Sequence, residues 1–338
     1  MSRTENTTSH KAALMTRAVL VLLLLCGLAG GTKAARAADE LGPFENGTAT
    51  QNWIDVDSPA EHSSQLGRSC QPCRSSSNGT LFQWSSAPNA VGGPNLDEPL
   101  VTDRPDFTEA TSTVGLGVSQ IEFGYTYTYD NSSDTGTRTQ SFGEPLLRYG
   151  IFADWLEFRL ALFPTEQQTT IGTVSNSTSS MADMYLGFKI ALTPQAGILP
   201  EMALIPQMTV LTGGQAFSAN QTLPGVNWVY SWALSDTLAT AGSTQINRSV
   251  DDGTGSTYNE IAQSWTVAAS LSDQLGAYTE WFALIPSGAD TNLTQHYANG
   301  GFTYLISNDV QFDIRAGVGL NAAADDYFIG SGLSIRFQ

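Results

Sequence analysis

Residues Gln120–Tyr129, QIEFGYTYTY, alternate without a break. Ile121, Phe123, Tyr125, Tyr127 and Tyr129 share one face, and Gln120, Glu122, Gly124, Thr126 and Thr128 share the other. Successive side chains of a strand point to opposite sides, so this stretch can bury one face only as a strand. The period recurs from Val114 onward. WLEFRLALF sets Leu156, Phe158, Leu160 and Leu162 against Glu157 and Arg159. DMYLGFKIAL sets Met184, Leu186, Phe188 and Ile190 against Asp183, Gly187 and Lys189. EMALIPQMTV, VNWVYSWAL, VQFDIRAGVGL and YFIGSGLSIRF repeat the pattern, and weaker strands fall near 141–152, 238–247, 261–271, 274–284 and 295–306.

Which face meets water decides the class. A soluble sandwich turns its apolar face inward, and a membrane barrel turns it toward lipid. The strand charges share the face that carries Gly and other small residues: Glu122, Glu157, Arg159, Asp183, Lys189, Glu201, Asp313, Arg315 and Arg336. In a barrel they face the lumen and can pair there. Aromatics such as Tyr127, Tyr129, Trp228, Trp232 and Phe337 stand near strand ends on the apolar face, as interfacial girdles do. Charged residues make up 14% of the chain, against about 25% in soluble domains. Short turns (SDQ, SND) alternate with polar stretches read as long loops (DNSSDTGTRTQ, TVSNSTSS, NRSVDDGTGSTYNE). The pattern predicts an all-β fold, an antiparallel transmembrane barrel of about 12 strands. A secreted soluble β-protein that binds ligands is the alternative, because its strands have the same period.

Three regions follow from composition. Residues 1–37 read as a signal peptide: Lys11 and Arg17 precede the apolar run AVLVLLLLCGLAG, and ARA precedes Ala38. Residues 38–112 are rich in Ser, Gly, Pro and Asn and read as a loosely ordered segment; residues 113–338 read as the barrel. The whole chain carries a formal charge of −17. Beyond residue 37 Lys189 is the one lysine, and acids far outnumber bases. Such a chain repels nucleic acid. Cys70 and Cys73, in SCQPCR, read as a small closed disulfide in an exported chain, with an isolated or redox pair as alternatives. Arg74 stands where haem attachment needs His, and no second ligand pair for a metal is visible.

TDRPDFTEAT (102–111), followed by QIEFGYTYTYD, GEPLLRYGI, DMYLGFKIAL, YTEWFALIP and GGFTYLISNDVQFDIRAGVGL, resembles the bacterial outer-membrane family known as "putative MetA-pathway of phenol degradation". The likeness spans about residues 100–337 and rests on the order of short motifs. It implies an outer-membrane barrel for the passage of small molecules, aromatic or apolar ones among them. Expected partners are outer-membrane lipid, the barrel-assembly machinery and a small-molecule solute. A structural or adhesive barrel that passes nothing is the rival role.

No catalytic constellation emerges. His10 belongs to the signal and His62 to the loose segment, and no Ser flanks His296 in NLTQHYANG. The acid pairs Asp106/Glu109 and Asp251/Asp252 are candidates by composition only, and no cofactor or metal motif appears. Asp103, Arg104 and Asp106 form a possible plug motif, with Arg104 expected to pair with Glu122 or Glu157; a lead-in held by local Asp turns is the plainer reading. Pro206, which cannot donate to a ladder, is expected to mark a strand end, with a gap in the wall as the sharper reading.

Overall fold

The structure is a computed structural model that describes residues 80–82, 96–132, 135–251 and 253–337. Fourteen strands are formed. They are β1 (Ser119–Ser132), β2 (Thr135–Gly150), β3 (Leu156–Ala161), β4 (Pro164–Ile171), β5 (Val174–Met181), β6 (Met184–Thr193) and β7 (Glu201–Val210), then β8 (Leu223–Ser235), β9 (Leu238–Val250), β10 (Thr257–Ser270), β11 (Leu275–Ser287), β12 (Gln295–Ser307), β13 (Val310–Gly319) and β14 (Tyr327–Phe337). Every pairing is antiparallel between neighbours in the sheet, and β1 pairs with both β14 and β2, which closes the sheet. Closure removes the edges that an open sheet would expose.

Twelve strands complete the ring, because β4 and β5 do not enter it. β4 continues the direction of β3 past Leu162 and Phe163, and β5 leads into β6 past Ala182 and Asp183. The first half of β2 pairs with β4 and its second half with β3. The predicted strand count therefore holds, but two of the stretches read as loops are not loops. DNSSDTGTRTQ belongs to the β1–β2 hairpin, and TVSNSTSS forms most of β5. Polar strands with no apolar face carry no period-2 hydropathy signal, so the sequence could not reveal them.

The faces are inverted relative to a soluble protein. Glu122, Arg148, Glu157, Lys189, Gln311 and Asp313 are fully buried, whereas Phe123, Phe188, Trp228, Trp265, Trp281, Phe302 and Phe312 are exposed. Outward aromatics gather in two places. Tyr127, Tyr129 and Tyr327 cluster on β1 and β14 toward one end, and Tyr230, Trp232 and Trp265 toward the other. The Trp232 indole N–H donates to the Ile198 carbonyl in the β6–β7 turn. These are the two girdles of a membrane barrel.

Pro206 lies in the middle of β7 and not at a strand end. It stays in register with Val226 of β8, but the β6–β7 ladder skips Phe188 and Lys189. The absent proline N–H explains a gap on the β6 side alone.

Residues 96–112 also depart from expectation. Composition placed them in the loosely ordered segment, yet Leu100, Thr102, Asp103, Thr108, Ala110 and Thr111 are buried. Polar composition suggests disorder where water is the only partner; here the partners are the charges of the barrel interior. Residues 1–37, Cys70, Cys73 and Asp252 lie outside the described residues.

Candidate functional site: a charged lumen crossed by its own N-terminal segment

The segment before β1 enters the barrel at the short-turn end. The Leu100 amide donates to the Asn308 carbonyl in the β12–β13 turn. Arg336 Nη2 donates to the Leu96 and Glu98 carbonyls, while its Nε bonds Asp309. The chain then crosses the interior to β10 and β11, where Thr108 meets Ser264 and Glu280. It returns past Ser231 of β8, reached by the Thr111 hydroxyl, to the β2–β3 turn, where the Thr113 hydroxyl donates to the Asp154 carbonyl.

Asp103 is the centre of the crossing. Three cations from three adjoining strands converge on its carboxylate: Arg148 of β2 at 3.2 Å, Arg159 of β3, and Lys189 of β6 at 2.6 Å. Arg148 also holds Glu157 at 2.8 Å and Glu122 at 3.0 Å, and Arg159 holds Glu109 at 2.9 Å. Buried charges are tolerated only when paired and hydrogen-bonded, and here each guanidinium bridges several carboxylates. Glu122 further accepts the backbone N–H groups of Asp103 and Arg104.

Arg104 does not pair with Glu122 or Glu157 through its guanidinium, as the sequence reading expected. It bonds Glu144 at 2.9 Å and Asp313 at 3.4 Å, and donates to the Ser331 carbonyl. A guanidinium needs room, and Gly124 of β1 and Gly332 of β14 supply it: a Cβ at either would collide with Arg104. Glu144, which sits in a left-handed conformation beside Gly143, was not singled out by sequence. Nor were Arg148, Glu144's neighbour on β2, and Glu280 of β11. All three lie in the weaker predicted strands, 141–152 and 274–284, whose alternation is too broken to assign an inward face. The fully buried Arg148 has no local signal, because its partners are distant in sequence.

The expected lumen charges divide by location. Glu122, Glu157, Arg159, Lys189 and Asp313 belong to the buried network. Arg315 holds the Pro105 carbonyl at 2.9 Å and Thr126 at 2.9 Å. Glu201, at the start of β7, lies beside Thr111. Arg336 pins the entry of the segment. Asp183 is no part of the network and stands just before β6. Its carboxylate accepts the N–H groups of Thr212, Gly213 and Ala219 and the Ser218 hydroxyl, so it fastens the β7–β8 loop. Burial would raise its pKa, but these donors hold it below the usual carboxylate value.

Asp106 follows the segment toward β11. Glu280 accepts the N–H groups of Phe107 and Thr108, the Thr108 hydroxyl and the Asn299 amide, each at 2.7 Å. Phe107 stacks on Phe282 at 4.5 Å with an interplanar angle of 4°, and Phe282 stacks on Tyr297 at 4.7 Å and 17°. One wall of the lumen is thus an aromatic stack, and Ala203, Ile205 and Val229 form a smaller apolar patch on β7 and β8.

A closed 12-strand sheet, apolar outside and charged within, with aromatic belts at both ends, defines an outer-membrane-type β-barrel. The chain belongs to the family described as "Putative MetA-pathway of phenol degradation", whose model matches residues 102–337. Its fold is similar to that of the COG4313 outer membrane channel from Pseudomonas putida F1. That match has a TM-score of 0.56 and 11% identity, and covers 69% of this chain and 99% of that one. Weaker matches include the NanC porin (TM-score 0.39, 13% identity, 64% and 98% of the chains). Another is the CymD monoaromatic hydrocarbon channel (TM-score 0.35, 11% identity, 65% and 88% of the chains). No curated protein matches the chain in sequence.

Proposed function

We propose that this barrel passes small molecules of aromatic or weakly polar character across the outer membrane, along a lumen narrowed by residues 102–113. The observation that carries the reading is the inward-folded segment. It spans the interior from the β12–β13 turn to β11 and back to the β2–β3 turn, which leaves too little width for large hydrophilic solutes. The aromatic stack on β11 and β12 provides an apolar track beside it. The family's name, which refers to phenol degradation, and the fold shared with the Pseudomonas putida outer membrane channel agree with this reading. Export by residues 1–37 and insertion by the barrel-assembly machinery complete it.

Liposome uptake tests the proposal directly. Vesicles holding the purified chain are expected to take up phenol-sized solutes faster than protein-free vesicles, and to admit disaccharides no faster. Equal rates with and without protein for every solute would leave a structural or adhesive barrel as the role. Deleting residues 96–112 is expected to raise planar-bilayer conductance; unchanged conductance would remove the narrowing role.

A further inference from the structure

Phe107 is the one aromatic side chain of the crossing segment, and its setting is that of a bound ligand. Its ring lies parallel to Phe282, which in turn stacks on Tyr297, with Phe328 packed against both wall rings. Three of these four rings belong to the wall. Phe282, Tyr297 and Phe328 are rooted on β11, β12 and β14, whereas Phe107 comes from a connection held by side-chain bonds. A second observation points to a ligand. Beside the stack, two buried acceptors have no partner among the described residues: Asn299 Oδ1 and Asp106 Oδ2, on residues 6% and 9% exposed. The Asn299 side-chain amide and the Phe107 backbone N–H donate to the same oxygen, Glu280 Oε2. The Tyr278 hydroxyl is a third polar atom without a partner. Buried acceptors of this kind are costly unless a donor reaches them.

We infer that Phe107 occupies, as an internal stand-in, a subsite for a planar aromatic solute bearing a hydroxyl, and that such a solute enters by displacing the Phe107 ring. The face of Phe282 supplies the stacking surface, and the solute hydroxyl donates to Asn299 Oδ1 or Asp106 Oδ2. The inference rests on the conduit reading and deepens it by assigning the place and shape of the solute. Phe107 is only partly buried against the wall rings, and a planar solute seated on Phe282 regains the stacking that the displaced ring gives up.

The test is fluorine NMR titration of the full chain in detergent micelles with 4-fluorophenol. Removing the internal competitor by Phe107→Ala is expected to tighten binding roughly fivefold. Phe107→Leu, which keeps apolar volume without a planar face, is expected to tighten it as well, which separates competition from a folding defect. Phe282→Leu is expected to weaken binding in both backgrounds, and cyclohexanol, of like size but not planar, to compete poorly. If Phe107→Ala and Phe107→Leu bind 4-fluorophenol no more tightly than the parent chain, or if cyclohexanol competes as well as phenol, the inference is overturned. Bilayer conductance of the same samples separates the two readings. The predicted order of affinities without conductance in any variant keeps the subsite and removes the conduit. Conductance with affinities insensitive to residue 107 keeps the conduit and removes the subsite.

Discussion

At the scale of single residues, Asp103 ties the segment to three strands of the barrel wall. Its carboxylate is the shared partner of Arg148, Arg159 and Lys189. Asp103→Asn leaves three buried cations short of one charge, and losing one partner of a buried ionic cluster costs about 3–5 kcal/mol. The expected result is release of the segment, read as a rise in single-channel conductance. The double variant Asp103→Asn/Lys189→Met removes a cation with the anion, and is expected to fall nearer the parent than Asp103→Asn alone. A second residue-scale prediction concerns Gly124. A Cβ there meets the far end of Arg104 and the Glu144 carboxylate, both flexible side chains, so Gly124→Ala is tolerated by the wall but evicts the guanidinium. Its conductance is expected to match that of Arg104→Ala; a parent-like value would show that Arg104 does not hold the segment. Asp103 and Arg104 were legible in the sequence as a motif. Their partners were not, because Glu144 and Asp313 lie 40 and 209 residues from Arg104 and meet it only when the sheet closes.

At the scale of elements, β7 carries a defect that its sequence displays openly. Pro206 removes one donor from the β6–β7 ladder, which also shifts register between Ala191 and Thr193, and the wall tolerates this because the β7–β8 ladder is continuous through Pro206. Pro206→Val is expected to restore that bond and raise stability by about 1 kcal/mol, seen as a higher temperature for the heat-induced gel shift. A lowered transition would mean that the proline ring itself packs in the wall. The loops at the long-loop end are fastened by carboxylates. Asp251 accepts the N–H groups of Gly253, Thr254, Thr291 and Asn292, and so ties the β9–β10 loop to the β11–β12 loop. Burial would raise its pKa, but the Thr291, Asn292 and Thr254 donors outweigh it and hold the group well below the ordinary aspartate value. A depressed folded pKa contributes stability that is present above the unfolded value, near 4, and is lost as pH falls through the folded value. The two loops are therefore expected to keep their protease resistance at pH 5 and to lose it only well below pH 4. Asp251→Asn is expected to shed that resistance at neutral pH.

For the whole molecule, the charge distribution bears on what passes. The chain is acidic overall, with a formal charge of −17. Within the lumen the ion-paired acids Asp103, Glu109, Glu122, Glu144, Glu157 and Asp313 outnumber their partners Arg104, Arg148, Arg159 and Lys189. Low-dielectric walls focus such a field. Residual ion flow is expected to favour cations, measured as the reversal potential across a salt gradient. Glu144→Gln is expected to reduce that preference, and anion selectivity in the parent chain would contradict this account.

What the sequence determined by itself was the strand period, the inverted sense of the faces and the approximate strand number, because side-chain alternation is a local property and each pleated segment displays it on its own. Glu122, Glu157, Arg159, Lys189 and Asp313 could be assigned to the interior for the same reason. The tertiary structure alone decided where the charges find their counterions, that residues 96–112 are packed within the barrel, and that polar β4 and β5 are strands. Each of these depends on partners remote in the chain: a buried ion pair, a threaded segment and a ladder without an apolar face exist only once closure of the sheet has brought those partners within hydrogen-bond distance.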